Sequence, residues 1–225
     1  MSVKLFLIRH GQTESNAKGI YQGSIDTELT KEGIKQAKLA KKYFSGVTFS
    51  NIYSSPKKRA LDTAKIIAEG TGLEVKVRQN LEEMHFGKWE GLSFEEINIR
   101  YRQEYQNWLA DPFENPPPGG ESFSELMARA STEIDKIVSE NQDGGNIAVV
   151  THGGLILALI VKWLKIPSEC WRSLIQRQGA INVVVIDKDF PYISSINYTG
   201  HLRPIYDENE DRVIEIYRKI KDQSH

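Results

Sequence analysis

Four short segments carry phosphate-compatible residue types: Arg9-His10-Gly11, Arg59, Glu82-Glu83 and His152-Gly153-Gly154. Guanidinium forks match phosphate oxygens and stay protonated. Imidazoles and carboxyls are the common nucleophiles and proton carriers of such chemistry. Each signal alone is weak, since a given tripeptide arises by chance about once in 8000 positions. Their placement adds force, because each segment lies just beyond a stretch that reads as a strand. In an open parallel sheet the carboxyl ends of neighbouring strands converge on one crevice.

The elements that must position these groups follow from periodicity. Residues 3–8 form a short β-rich run that ends at a charged, glycine-containing loop, as a central α/β strand does. Residues 31–44 read as an amphipathic helix with Thr30 as N-cap, and a second strand covers 49–54. Pro56 fits a first helical turn, and Ala60, Leu61, Ala64, Ile67 and Ala68 mark one face of a helix closed by Gly70 and Gly72. Residues 73–77 alternate as a third strand. The polar, aromatic stretch 93–110 predicts two short helices, and the prolines and glycines of 112–120 a loop, so 92–120 reads as an excursion over the site. A long helix at 121–140, an apolar strand at 147–150, a buried helix at 154–164 and an apolar strand at 180–186 follow. Residues 192–198 suggest an edge strand and 212–220 a terminal helix. Strands alternating with helices imply an α/β fold: a three-layer α/β/α sandwich with a mostly parallel central sheet.

The 225 residues, 40% apolar and 26% charged, suit one domain over 1–225 and exclude disordered and collagenous classes. With 29 Lys+Arg against 30 Asp+Glu, the chain lacks the cationic surplus of a nucleic-acid binder. Cys170 is the single cysteine, so no internal disulfide or Cys-based zinc site forms, and a reducing cytoplasm fits. The apolar start is too short for a secretory signal, and the longest apolar run, 155–164, already contains Lys162 and is too short to span a bilayer. The expected partner is a small phosphorylated metabolite, with neither nucleic acid nor membrane.

In order along the chain, Leu7-Ile8-Arg9-His10-Gly11-Gln12-Thr13-Glu14-Ser15-Asn16, Ser54-Ser55-Pro56-Lys57-Lys58-Arg59-Ala60, Glu83-Met84-His85-Phe86-Gly87-Lys88-Trp89-Glu90-Gly91 and Val150-Thr151-His152-Gly153-Gly154 resemble the motifs of the histidine phosphatase superfamily, its phosphoglycerate-mutase-like branch. The resemblance runs from 3 to about 202. It implies a phosphoglycerate-mutase-like fold and a metal-independent, cofactor-free reaction. His10 would be the nucleophile forming a phosphohistidine. Arg9, Arg59 and His152 would gather round the phosphoryl group, and Glu83 would act as general acid and then base. Asn16, Gln22 and Gly23 match positions that contact phosphoryl oxygens, with Gly153 in the same set. His10 must attack as neutral imidazole, and neighbouring guanidinium charges disfavour its imidazolium form. Its other ring nitrogen should donate to a backbone carbonyl in the Gly11 loop.

Phosphatase and mutase share the first half-reaction. A mutase must exclude water and hold a bisphosphate with further cations, yet the excursion sets Arg100 and Arg102 against Glu95, Glu96, Glu104, Asp111 and Glu114, with Glu121 just beyond it. The Trp89-Glu90-Gly91 and Pro118-Gly119-Gly120-Glu121-Ser122 segments look like the subgroup of broad-specificity acid phosphatases and α-ribazole phosphatases. A phosphomonoesterase is therefore expected, ahead of a cofactor-dependent phosphoglycerate mutase and a non-catalytic phospho-ligand module. His85 reads as a surface or packing residue, and Cys170, Trp163 and Trp171 as core. Tyr101, Tyr105, Trp108 and Phe113 either wall a substrate pocket or pin the excursion.

Overall fold

In the computed structural model, which describes residues 2–205, a six-stranded sheet separates two helical layers. The elements are β1 (Val3–Arg9), α1 (Glu14–Lys18), α2 (Lys31–Tyr43), β2 (Phe49–Ser54), α3 (Lys58–Ala68), β3 (Val75–Val77), α4 (Phe94–Arg100), α5 (Arg102–Ala110), α6 (Phe123–Ser139), β4 (Gly145–Thr151), α7 (Gly153–Leu164), β5 (Ile181–Asp187) and β6 (Phe190–Tyr198). The sheet order is β3-β2-β4-β1-β5-β6. The first four in that order run parallel, whereas β5 is antiparallel to β1 and β6 to β5. The helix expected at 212–220 lies outside the described residues.

Successive side chains of a strand point to opposite faces, and β1 uses both. Val3, Leu5 and Leu7 join the larger core with α6 and α7. Phe6 and Ile8 join the smaller one with α2 and α3, where Phe6 meets Phe44 and Phe49 edge-on at 5.3 and 5.6 Å. A strand buried on both faces reads as a continuous apolar run, and this one sits between β4 and β5. Its exit at Arg9-His10 therefore opens at the middle of the sheet, beside the ends of β4 and β2.

Several local expectations shift. The α3 helix begins at Lys58 with Lys57 as N-cap, so Pro56 lies before its first turn. Only Val75–Val77 of the 73–77 stretch pairs as a strand. The 121–140 helix narrows to α6, because Ser122 caps it in a reciprocal box with Glu125. Cys170, expected in the core, is exposed on a 3-10 turn after α7. Its neighbour Trp171 is buried and Trp163 packs half-buried against the same core.

Among the described residues no helix is long and apolar enough to cross a membrane.

Candidate active site

The His10 main chain continues the sheet by donating to the Thr151 carbonyl at 3.0 Å, so its side chain enters the crevice at the strand ends. Its Nδ1 lies 2.7 Å from the Gly11 carbonyl oxygen. A carbonyl can only accept, so Nδ1 carries the proton and Nε2 keeps the lone pair. That is the arrangement anticipated from the Gly11 loop. Burial, then the charges of Arg59 and Arg9, hold the His10 pKa well below the ordinary imidazole value, against the opposing pull of the Gly11 bond. Gly11 has no room for a side chain: a Cβ there would stand 2.4 Å from the Gly33 carbonyl oxygen of α2.

His152, the N-cap of α7, is buried and stands edge-on to His10 with ring centroids 5.2 Å apart. Its Nε2 is 2.8 Å from the Ser55 hydroxyl, while its Nδ1 is buried without a partner among the described residues. Burial lowers its pKa well below the ordinary value as well, helped by Arg59.

Two guanidiniums enter from different elements. Arg9, the last residue of β1, donates Nη1 to the Gln176 carbonyl. Arg59, on the inner face of α3, is wholly buried. Its Nη1 donates to the Ile25 carbonyl at 2.7 Å and its Nη2 to the Gly23 carbonyl at 2.9 Å, and its Nε has no partner among the described residues. Burial lowers its pKa, opposed first by Glu83, yet a guanidinium remains charged across the physiological range.

Glu83 approaches from the loop after β3. Its carboxyl accepts the Met84 N–H at 2.9 Å and the Gly154 N–H, in the first turn of α7, at 3.2 Å. A protonated carboxyl can accept both and still present its O–H. The glycine at 154 permits this approach, since a Cβ would lie 2.5 Å from Glu83 Oε1.

The loop after β1 supplies the remaining polar wall. Asn16 Oδ1 accepts from the Thr13 N–H at 3.1 Å, and the Asn16 main-chain N–H donates to the Thr13 hydroxyl at 3.2 Å. Gln22 Oε1 accepts from the hydroxyls of Thr13 and Thr27. Arg9, His10, Asn16, Arg59 and Glu83, with Gln22 and Gly23, line one cleft of about 390 Å³. Ile20, Tyr21, Phe86 and Phe94 form its apolar side, and Lys18 and Glu95 also border it. A larger hollow of about 720 Å³, at the opposite end of the sheet beside Val3 and Asp187, is lined by no histidine or arginine among the described residues.

Gly153 lies against Arg9, where a Cβ would come within 3.1 Å of the guanidinium. His85 is exposed, 3.8 Å from Glu90. Tyr101, Tyr105, Trp108 and Phe113 pin the excursion: Tyr105 and Trp108 are buried and stacked at 5.7 Å, Phe113 packs on Phe123, and Tyr101 sits against the same core. The excursion reaches the cleft through Phe94 and Glu95 instead. Sequence reasoning passed over Ser55, although it lies inside a quoted motif. It also passed over Thr63, which accepts the Gly11 N–H at 3.1 Å and donates to the Arg59 carbonyl at 2.8 Å. The Gln176 carbonyl is a main-chain group and carries no signal in a residue type.

Known proteins resemble the chain over most of its length. The chain is 32% identical to the adenosylcobalamin/alpha-ribazole phosphatase of Escherichia coli, over 87% of this chain and 96% of that protein. It is 31% identical to phosphoserine phosphatase 1 of Hydrogenobacter thermophilus, over 92% and 97% respectively. The solved structure of mycobacterial glucosyl-3-phosphoglycerate phosphatase superimposes with a TM-score of 0.80 at 30% identity, covering 88% of this chain and all 100% of that one. The model of the histidine phosphatase superfamily, branch 1, matches residues 5–199. The chain belongs to that superfamily.

Proposed function

We propose that the chain is a phosphomonoesterase that works through a phosphohistidine on His10. In the first step the His10 Nε2 lone pair attacks phosphorus, the P–O ester bond breaks, and the departing oxygen takes the Glu83 proton. Arg9 and Arg59, with His152 and the Asn16 amide, hold the three outer oxygens and balance the charge that develops on them. In the second step the Glu83 carboxylate takes a proton from water as its oxygen attacks phosphorus. The P–N bond breaks and its electrons return to His10, leaving inorganic phosphate and the starting protonation states. Gln22 and Gly23 shape the loop that closes on the phosphate, and Gly153 keeps Arg9 in place.

The observation that carries this reading is the bond from His10 Nδ1 to the Gly11 carbonyl at 2.7 Å, which leaves a lone pair on Nε2 in the cleft shared with Glu83 and Arg59. Water as acceptor is favoured over a second phosphorylated hydroxyl because, among the described residues, Lys18 is the one cation lining the cleft beyond Arg9 and Arg59. The relatives compared above are phosphatases named for small phosphorylated compounds, and a small phosphorylated metabolite is the substrate proposed here. Its leaving group rests against Ile20, Tyr21, Phe86 and Phe94. The lone thiol fits a reducing cytoplasm, and 1–225 is read as a single domain.

The test is hydrolysis of aryl and alkyl phosphates in the presence of chelator. Turnover of both is expected, and Glu83→Gln should lose at least tenfold more on the alkyl ester, whose poor leaving group needs the proton. Equal losses on both esters would remove Glu83 from the acid role. Absence of turnover on any phosphomonoester would refute the reading.

A further inference from the structure

We propose that Arg129, paired with Glu121, is a positioning residue for the proton-transfer step, holding the main chain on both sides of Glu83. The proposal rests on Glu83 being the general acid. Arg129 lies on α6, and its side chain is 24% exposed. Its Nε and Nη2 grip the Glu121 carboxylate at 2.6 and 2.9 Å. Its Nη1 donates to the carbonyls of Asn80 at 3.0 Å and Glu82 at 2.9 Å, and its Nη2 donates to the Glu83 carbonyl at 2.9 Å. One guanidinium thus collects the carbonyls of the two peptides that flank Glu83. Glu121 closes the arrangement by binding the next turn of chain: its N–H donates to the His85 carbonyl at 2.8 Å, and its carboxylate accepts the His85 N–H at 3.3 Å.

Other contacts hold the segment in the fold. Leu81 and Met84 are buried in the larger core, and Thr151 donates to the Leu81 carbonyl at 2.6 Å. The guanidinium instead fixes peptide orientation, which sets where the Glu83 Cα–Cβ bond points and where its carboxyl ends. A group that must deliver a proton to a leaving oxygen is sensitive to displacement well below 1 Å. Lysine cannot replace this arginine, because a point charge with three rotating donors does not present a planar fork to the carboxylate and three carbonyls together.

The experiment compares wild type, Glu83→Gln, Arg129→Lys, Glu121→Gln and the Glu83→Gln/Arg129→Lys double variant on an aryl and an alkyl phosphate, with thermal melting run on each. Arg129→Lys should lose about tenfold in kcat on the alkyl ester and about twofold on the aryl ester. In the Glu83→Gln background it should cost nothing further on the alkyl ester, because the group it positions is already disabled. Glu121→Gln, which preserves shape, should show the same ester contrast and decides the matter if Arg129→Lys does not fold. Equal losses on both esters, wild-type kinetics on both, or a loss that multiplies that of Glu83→Gln would each overturn the proposal while leaving Glu83 as the acid. A Glu83→Gln variant that itself shows no ester contrast would overturn the acid assignment and this proposal with it.

Discussion

The hydroxyl of Ser55 meets Nε2 of His152 at 2.8 Å, while the Lys57 N–H donates to that hydroxyl at 3.3 Å. With the backbone already donating to its oxygen, the serine can spend its own proton on Nε2, which puts the imidazole proton on Nδ1, the nitrogen without a partner among the described residues. In the proposed mechanism this is the proton that serves a phosphoryl oxygen. Ser55→Ala should release this tautomer and lower kcat/KM about tenfold, with Ser55→Thr recovering most of the loss. Steady-state kinetics on an aryl phosphate checks it, and a fully active Ser55→Ala enzyme would contradict it.

How much of this was legible in the sequence depends on which atoms do the work. His10, Arg59, Glu83 and His152 announce themselves by type, and their meeting follows from parallel strands ending on one side of a sheet. The partner of His10 was also legible, because a neutral nucleophilic imidazole needs an acceptor for its second nitrogen and Gly11 was beside it. The direction of β5 was not, since an apolar run such as Ile181–Asp187 reads alike in either sense. Nothing in the sequence sets Arg129 apart from other helix arginines, and only the folded chain shows the carbonyls it gathers. The exposure of Cys170 follows from the 3-10 turn at Ser168–Ser173, which periodicity did not resolve.

Gly154→Ala should separate activity from stability. Alanine in the first turn of α7 gains about 0.5–1 kcal/mol of helix propensity over glycine. Its Cβ, 2.5 Å from Glu83 Oε1, displaces the carboxyl. The expected outcome is a melting temperature at or above wild type with at least a tenfold loss on alkyl phosphates. A fully active variant would show that Glu83 works from elsewhere.

Arg59→Lys should raise KM and lower kcat/KM by about 100-fold, the cost of losing a buried, forked phosphate ligand. The carbonyls of Gly23 and Ile25 lose their donor in the same change, so the melting temperature should fall as well. Inhibition by inorganic phosphate provides an independent readout and should weaken in parallel.

Acid should destabilise the fold through two buried histidines and one partly buried. His201, stacked near Tyr198 and Tyr43, has its pKa lowered by burial to about 4, and those of His10 and His152 are lowered too. In the unfolded chain these imidazoles protonate near 6.5, so between that pH and the lower folded values the unfolded state binds more protons. Stability is therefore full above about 6.5 and declines as pH falls toward 4. His201→Phe keeps the stack and should remove about 1–2 kcal/mol of the acid-induced loss, after allowance for partial exposure. Urea unfolding at pH 7 and pH 4.5 measures it, and an unchanged acid loss in the variant would contradict the assignment.

The most direct test of the central claim is acid-free denaturing quench of the enzyme during turnover of a 32P-labelled phosphomonoester, followed by mapping of the labelled peptide. Label is expected on His10, stable to base and labile to acid, forming no more slowly than turnover and absent in His10→Ala. Turnover that leaves no label on His10, or label carried by another residue, would contradict the account.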